Sequence, residues 1–475
     1  MRWIALLVAA ASLASAEPLH RRVERILAER PAARRAFWGV RAAEASTGRV
    51  VYETNARRLF LPASNAKLFT TAFALMRLGP DYRFETTVRR DGNDLVLVGG
   101  GDPTLSGREI PYHKGPGVPG NPLQAIETLA DQVFASGIRS VPGDVVGDDT
   151  AYVWEPYPEG WAQDDLVWDY GAPVSALTVN DNVFTLRLRA AGRLASVILS
   201  PPLEFYSIDN RVRAGPGLAS QVRVERLPGS RQLRLWGTMG SDPPGEKQML
   251  LAIDDPALYA ARALADALER RGIAVAGRPV ARHRWANEAA AAPAGVVVAR
   301  RTSPPLIELL RVIDKVSQNL HAEIVLREVA RVRHGVGSRE AALDEELKFL
   351  GEAGIGPEEV RFADGSGLSG SDLVSPEAVV KLLAHMYRMP QREAWISLMP
   401  VGGEDGTLAE RFGGASAARR IHAKTGSLSQ VASLSGYIES RTRGVLAFSI
   451  LANNFNAPGA EIRRVIDRLA LAFAE

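Results

Sequence analysis

Apolar and polar residues alternate in two short runs near the start of the chain, at residues 37–45 and 50–54. The segment between the runs contains Gly48, so the pattern predicts two strands joined by a β-hairpin turn. Between residues 64 and 78, apolar residues recur at helical spacing until Gly79-Pro80 ends the repeat. The pattern therefore predicts a hairpin followed by a helix that opens at Ser64.

The pattern changes between residues 83 and 281 to short alternating segments, such as residues 186–189 and 222–225, which predict many short strands. Two helical segments interrupt them, at residues 122–136 and 256–271. Each ends in Gly-Ile before a strand-like segment. This similarity indicates either a duplicated helix–strand unit or a common glycine C-cap that occurs twice by chance, and we favour the chance cap.

Helical periodicity returns after residue 304, with one helix from Pro304-Pro305 and a second at residues 320–333. Strand patterns then follow at residues 421–428, 433–439 and 445–452. A final apolar stripe has helical spacing and is formed by Ile462, Val465, Leu469 and Phe473. A stripe of this kind suits a membrane-surface helix or a core helix that lies on the sheet, and we favour the core helix.

Together these patterns predict a mixed α/β (α+β) fold in which a β-rich insert interrupts a domain with an antiparallel sheet flanked by helices. We expect the interrupted domain to comprise residues 17–82 and 287–475, and the insert, residues 83–286, to form two subdomains. The chain has 475 residues, 46% of them hydrophobic, which is enough for two or three domains.

The first 16 residues have the pattern of a secretory signal peptide, with Arg2, an apolar stretch at residues 3–11 and a small-residue cleavage site at Ala14-Ser15-Ala16. A buried first helix is the alternative, but charged residues follow at once. No other apolar run approaches the about 20 residues that a membrane span requires. We therefore expect an exported protein of a bacterial envelope, periplasmic or extracellular, with at most peripheral membrane contact.

The chain contains no cysteine, which excludes disulfides, a lipid-anchored cysteine and cysteine-based metal sites. Its 57 basic and 54 acidic residues give a formal net charge of only +3, and the arginines are dispersed along the chain. This charge pattern does not favour nucleic acid as a partner.

Three short strings carry candidate chemistry: Ser64-Asn65-Ala66-Lys67, Ser317-Gln318-Asn319 and Lys424-Thr425-Gly426. They supply a hydroxyl nucleophile, an amine base, a second hydroxyl with an amide, and a cation beside a glycine, which are the parts of a serine acyltransferase. Each string alone has an ordinary structural explanation, such as a helix cap or a strand edge. The ordered trio is much harder to obtain by chance.

Lysine is scarce in this chain, yet two of the three strings contain one. Only seven of the 57 basic residues are lysine. The guanidinium group of arginine stays charged and cannot accept a proton, so a catalytic amine must be lysine. Since Ser64 and Lys67 are one helical turn apart, the amine can reach the hydroxyl.

The three strings resemble the S-x-x-K, S-x-N and K-T-G motifs of the penicillin-interacting serine enzymes. From position 64 to position 317 is 253 positions, and from 317 to 424 is 107. A simple β-lactamase has no room for an insert in the first interval. The class C low-molecular-mass penicillin-binding proteins, of the penicillin-binding protein four type, carry one there. Further strings similar to that group lie at residues 101–104, 170–177, 364–369 and 405–408.

The resemblance implies a transpeptidase/β-lactamase-like domain and a serine D-Ala-D-Ala carboxypeptidase or endopeptidase. Such an enzyme acts on peptidoglycan stem peptides and cross-links, is acylated by β-lactams, and needs no cofactor or metal. Ser64 would form the acyl-enzyme and Lys67 would accept its proton. Ser317 would pass the proton to the leaving amine, and Asn319 would hold both Lys67 and a substrate amide.

The third string and its neighbour are expected to bind the substrate. Lys424 and Thr425 would bind the terminal carboxylate of the peptide. Gly426 would let the substrate lie against this strand as an added edge strand. The backbone N–H groups of Ser64 and Ser427 would donate to the oxyanion.

The resemblance also implies that Asp165 faces the amino group of the diamino acid in the stem peptide, with Tyr170 as a wall. A solvated loop carboxylate is the other interpretation of Asp165. Gly370 and Ser429 stand where some relatives have Arg and Gln. We therefore expect the outer part of the peptide pocket to be wider or differently tuned.

Other classes of hydrolase find little support. No G-x-S-x-G string occurs, and His321 lacks the H-E-x-x-H spacing of a zinc site, so we expect it to be a surface or capping residue. Two rivals remain: a slow β-lactamase, and a catalytically idle cell-wall-binding protein that has kept the fold.

Overall fold

The computed structural model describes residues 17–114, 120–242 and 245–475. The predicted signal peptide, residues 1–16, lies outside the described residues. Within these three ranges, none of the helices combines the length and the apolar character that crossing a bilayer requires.

The strands of the described chain, in order, are β1 Phe37–Glu44, β2 Val50–Thr54, β3 Glu85–Asp91, β4 Asp94–Val98, β5 Ser140–Val141, β6 Val145–Val153, β7 Val183–Ala191, β8 Leu194–Ser200, β9 Ser207–Gly215, β10 Gln221–Glu225, β11 Gln232–Gly240, β12 Glu246–Ala252, β13 Ala274–Val275, β14 Pro279–Arg284, β15 Val296–Thr302, β16 Val360–Arg361, β17 Leu373–Val374, β18 Ile421–Leu428, β19 Val431–Ser440 and β20 Gly444–Asn453.

The α-helices of the described chain are α1 Leu19–Glu29, α2 Pro31–Arg35, α3 Ala66–Leu78, α4 Gln124–Ala135, α5 Pro256–Glu269, α6 Leu306–Val316, α7 Asn319–His334, α8 Arg339–Glu352, α9 Pro376–Tyr387, α10 Arg392–Leu398 and α11 Gly459–Ala474. The residues at the start of α9 explain why that helix begins there. Ser375 accepts a hydrogen bond from the Ala378 N–H and precedes Pro376, which gives α9 both an N-cap and a proline in its first turn.

The first sheet has five antiparallel strands in the order β18-β19-β20-β1-β2. The N-terminal hairpin and the three C-terminal strands predicted from the pattern therefore belong to one sheet. Phe37 lies opposite Asn453, and Glu44 lies opposite Leu446. This pairing brings segments from both ends of the sequence beside the helix that Ser64 precedes.

Helices cover both faces of this sheet. On one face, α9 packs on β1 and β20, and α3, α6, α7 and α8 pack together within the same apolar core. On the other face, α11 lies on β19 and contacts α1. The predicted fold class, an antiparallel sheet flanked by helices, is confirmed. The stripe that we predicted to be a core helix is fully or nearly fully buried in α11, at Ile462, Val465, Leu469 and Phe473.

The chain between α3 and α6 forms two larger sheets, ordered β14-β6-β4-β3-β15 and β10-β11-β9-β8-β7-β12. β15 pairs with β3, so the strand that precedes α6 lies beside the first strand that follows α3. The chain leaves this sheet after Thr302 and enters α6 at Leu306. The division into residues 17–82 with 287–475 and residues 83–286 stays a prediction.

The two helix–strand segments that share the Gly-Ile ending lie side by side. β5 pairs with β13 and β6 pairs with β14, in parallel in both cases, and α4 contacts α5. The two segments therefore have the same order of elements, one helix followed by two strands, and pack against each other. This arrangement fits a repeated unit better than the chance cap that we favoured.

Candidate active site

Ser64 lies in a short 3-10 turn, Ala63–Asn65, that leads directly into α3. Ala63 has φ 48°, a left-handed conformation that is costly for a residue with a Cβ atom. Strain of this kind persists only where the surroundings impose it. Here it turns the chain so that the Ser64 side chain faces a cleft.

Contacts with the first sheet hold this turn in place. Asn65 Nδ2 donates to the Lys424 carbonyl at 3.0 Å, and Ser433 Oγ donates to the Pro62 carbonyl at 2.8 Å. A Cβ atom at Gly426 would lie 2.2 Å from Ser433 Oγ and 2.8 Å from the Pro62 oxygen. Gly426 thus lets strand β18 pack closely against the turn that contains Ser64. This reason for a glycine differs from the one expected from the sequence, which was contact with the substrate.

The amine of Lys67 is buried and has three oxygen neighbours. Its Nζ lies 3.0 Å from Ser64 Oγ, 2.7 Å from Asn319 Oδ1 and 2.5 Å from the Ser366 carbonyl oxygen. Lys67 is completely inaccessible to solvent. The first two motifs therefore meet at this nitrogen.

Burial lowers the pKa of Lys67 from its usual value to about 8. Desolvation is the largest effect, because it penalises the charged ammonium. The negative charges of Asp364 and Glu323 act in the opposite direction. A substantial fraction of Lys67 is consequently neutral at mildly alkaline pH.

Ser317 lies between α6 and α7 in a left-handed conformation, with φ 63°. Lys424 Nζ donates to Ser317 Oγ at 2.9 Å and to the Thr425 carbonyl at 2.8 Å. Burial, and then the charge of Lys67, hold the pKa of Lys424 well below its usual value. The second and third motifs are thus joined through a single hydrogen bond.

The remaining residues of the third motif lie along the same strand. Thr425 Oγ1 is 2.8 Å from Thr407 Oγ1, which belongs to the 405–408 string. Ser427 is exposed and lines the cleft.

The cleft itself has a volume of about 610 Å³. Its walls come from segments around the first sheet and from the chain between α3 and α6. They include Ser64, Asp165, Tyr170, Ser317, Asn319, Gly370, Ser427 and Ser429. Both positions that depart from some relatives, Gly370 and Ser429, therefore lie on the cleft surface.

Asp165 and Tyr170 form the insert side of the cleft. The Tyr170 hydroxyl lies 3.1 Å from Asp165 Oδ1, and the Tyr170 carbonyl accepts a hydrogen bond from Asn319 Nδ2 at 2.8 Å. Partial burial raises the pKa of Asp165 above its usual value and raises the pKa of Tyr170 to about 12. Asn319 therefore bridges Lys67 and the insert. Its Oδ1 atom contacts the lysine amine, and its Nδ2 atom donates to the Tyr170 carbonyl.

Two residues near Lys67 were not assigned from the sequence. Ser366 supplies the carbonyl oxygen that contacts Lys67, and Asp364 holds the loop that carries it. The Asp364 carboxylate accepts hydrogen bonds from the backbone N–H groups of Ser366, Gly367 and Ser369 at 3.0, 2.6 and 2.8 Å. Trp161 of the insert donates to the same carboxylate at 2.8 Å. The 364–369 string was noted in the sequence, but no role was assigned from it to Asp364 or Ser366.

Asp314 was also missed. It is completely buried in α6, and burial raises its pKa to about 7, although the nearby charge of Lys424 opposes the effect. Thr71 Oγ1 lies 2.7 Å from the Lys67 carbonyl and 3.2 Å from Asp314 Oδ2. A hydroxyl has one proton and a carbonyl can only accept, so this proton belongs to the Lys67 contact. Thr71 therefore links Asp314 to the backbone of Lys67.

His321 is neither a surface residue nor a helix cap, and our expectation for it was wrong. It is completely buried, and its Nε2 lies 2.9 Å from Asp181 Oδ1, whose other oxygen pairs with Arg108. The histidine thus joins α7 to the insert. In the described parts of the chain, His, Asp and Glu side chains form no cluster suited to a metal ion.

Comparison with known proteins gives a consistent result over almost the whole chain. A model of the D-Ala-D-Ala carboxypeptidase 3 (S13) family matches residues 19–473. A D-alanyl-D-alanine carboxypeptidase from Actinomadura sp. (strain R39) is 33% identical over 98% of this chain and 86% of its own. Carboxypeptidase DacB from Mycolicibacterium smegmatis is 30% identical over 90% of this chain and 78% of its own.

Solved structures show the same fold. Penicillin binding protein 4 (dacB) from Haemophilus influenzae superposes with a TM-score of 0.80 at 22% identity, covering 94% of this chain and 97% of that one.

Proposed function

Because the chain belongs to the D-Ala-D-Ala carboxypeptidase 3 (S13) family, we propose that it is an exported serine D-Ala-D-Ala carboxypeptidase and endopeptidase. Its substrates are the stem peptides and cross-links of peptidoglycan, and β-lactams acylate it at the same serine. The observation that carries this proposal is the convergence of Ser64, Ser317 and Lys424 from three distant segments. Ser64 and Ser317 line one cleft, and Lys424 donates to Ser317.

The contacts of Lys67 support its role as the general base. Asn319 Oδ1 and the Ser366 carbonyl are acceptors only, so they take the two protons of a neutral amine. The lone pair of the nitrogen is then left on the side of Ser64 Oγ, 3.0 Å away. In this state the Ser64 hydroxyl donates to the amine and is prepared for nucleophilic attack.

Attack on the penultimate carbonyl forms a C–O bond to Ser64 and moves the hydroxyl proton to Lys67. The backbone N–H groups of Ser64 and Ser427 stabilise the oxyanion, and one such donor typically contributes about 10²–10³ in rate. Ser317 carries a proton to the departing amine as the C–N bond breaks. Water then hydrolyses the ester and frees Ser64.

Lys424 is suited to recognition of the terminal carboxylate. It is buried, and burial together with the charge of Lys67 disfavours its ammonium form. A substrate carboxylate beside it adds negative charge and favours that form. Thr425 lies next to it, partly exposed, and adds a hydroxyl donor.

Asp165 and Tyr170 define the other end of the peptide site. A free amino group on the third stem residue can pair with the Asp165 carboxylate, which already lies within hydrogen-bond distance of the Tyr170 hydroxyl. Gly370 has no side chain and Ser429 has a short one, which leaves this end of the cleft wide. The pocket therefore has room for a bulky group beside the diamino acid.

The test is incubation with purified peptidoglycan fragments, followed by mass analysis of the products. We expect loss of one D-alanine from pentapeptide fragments and cleavage of D-Ala cross-links, with neither product formed by Ser64→Ala. Unchanged fragments with the native protein, or the same products with Ser64→Ala, would refute the proposal.

A further inference from the structure

A second groove of about 500 Å³ lies on the insert, next to the catalytic cleft. The segment from Tyr157 to Trp168 forms one side, and strands β10 and β11 with the turn between them form the other. Asp164 lines both the groove and the cleft. The two cavities are therefore separated only by the 161–170 segment, which we call the partition.

The partition is anchored on both sides, so the two cavities keep a fixed relationship. On the cleft side, the Tyr170 carbonyl accepts from Asn319, and Trp161 donates to Asp364. On the groove side, the Arg226 guanidinium donates to the carbonyls of Leu166 and Ala252. Arg226 thus links the partition to strand β12.

Three aromatic side chains contribute to the apolar lining of this groove. Tyr157, Trp168 and Trp236 all line it, and Trp236 is 37% exposed. Among the described residues, neither indole N–H has a protein acceptor. An exposed aromatic face with a free polar edge suits a ligand ring that has apolar C–H faces and polar edges.

The polar part of the groove consists mainly of acceptors. Asp164 and Glu225 are exposed at its surface, with Gln163 beside them. Carboxylates repel an anionic ligand but accept hydrogen bonds from neutral hydroxyls and amides. The combination of stacking faces with a carboxylate rim matches the chemistry of an amino sugar.

We propose that this groove is a glycan subsite, which holds the amino sugars that carry the stem peptide under attack at Ser64. The proposal rests on the proposed function, because that function fixes where the peptide lies. Three stem residues separate the two D-alanines from the sugar, and three extended residues span at most about 11 Å. A sugar attached to a peptide in the cleft must therefore lie near the partition, where the groove is.

The test compares two substrates: a disaccharide pentapeptide and the same pentapeptide without sugar. For the native protein we expect a higher kcat/KM on the sugar-bearing substrate. Trp236→Ala should lower the ratio of the two kcat/KM values by about 3–10-fold, the usual strength of one aromatic contact. Because the ratio cancels the active-enzyme concentration, partial misfolding does not alter it.

Trp285 offers a matched control, since it is 55% exposed and lies outside the groove. Trp285→Ala should leave the ratio as in the native protein. A native ratio of one, an unchanged ratio in Trp236→Ala, or an equal fall in Trp285→Ala would overturn the glycan subsite. Failure of both substrates to lose D-alanine would instead refute the proposed function.

A direct binding measurement completes the design. Glycan strands stripped of their peptides are titrated into Ser64→Ala by calorimetry. We expect binding that is lost when Trp236→Ala is added. No binding to the strands, or binding that Trp236→Ala leaves unchanged, would overturn the glycan subsite.

Discussion

Ser64 Oγ and Lys67 Nζ lie 3.0 Å apart, and Lys67 is completely buried. Both residues belong to one turn of chain, so their distance follows from local helical geometry rather than from long-range packing. What long-range packing adds is the pair of acceptors, Asn319 and Ser366, that orients the amine.

Lys67→Arg should lower the rate of acylation by a fluorescent penicillin by about 10²–10⁴-fold, the usual contribution of a general base. The substitution keeps the positive charge but removes the ability to accept a proton. Lys348→Arg is the matched control, because Lys348 is largely exposed on α8, and it should label at the native rate. Substantial labelling of Lys67→Arg would contradict the assigned role.

The acylation rate should depend on pH in the direction set by Lys67. Burial lowers the pKa of Lys67 to about 8, and only the neutral amine accepts the proton of Ser64. The second-order rate constant should therefore rise as pH increases towards about 8 and level off above it. A rate that falls between pH 6 and pH 8 would mean that a charged Lys67 is the active form.

Asp314→Asn should shift this profile to lower pH. The negative charge of Asp314 raises the pKa of Lys67, so its removal makes the neutral amine available at a lower pH. An asparagine side chain has nearly the same shape and keeps an oxygen and an amide group within reach of the Thr71 hydroxyl, so the buried contact survives. Asp344→Asn, at an exposed position on α8, is the control and should leave the midpoint of the pH profile unchanged. A shift to higher pH in Asp314→Asn would contradict this account.

Gly426→Ala should destabilise the protein by about 1–3 kcal/mol and slow acylation, because its Cβ atom would collide with Ser433 and with the Pro62 carbonyl. Gly351→Ala should act in the opposite direction. Gly351 lies in α8 with nothing near a new Cβ atom, so alanine should stabilise it by about 0.5–1 kcal/mol. Thermal unfolding measures both, and equal behaviour of the two variants would refute the packing argument.

The sequence predicts the site best where chemistry and local geometry coincide. Ser64 and Lys67 are three positions apart on a helical pattern, and an amine base can only be lysine, so both could be assigned directly. The strands β18, β19 and β20 were also predictable. Helices cover both faces of the sheet, so β19 and β20 are buried along most of their length, and a short, largely apolar run is typical of such a strand.

The sequence does not predict contacts between residues that are far apart in the chain, or contacts that the backbone makes. Ser366 contributes a backbone carbonyl, which any residue possesses. Asp314 has the appearance of an ordinary polar helix residue until packing buries it. His321 pairs with Asp181, 140 positions away in the insert, so no local pattern could have shown that it is buried.

The most direct test is the intact mass of the protein after exposure to benzylpenicillin. We predict one covalent adduct per chain, located by peptide mapping at Ser64 and absent from Ser64→Ala. An adduct that persists in Ser64→Ala, or a native protein that gains none, would contradict the account.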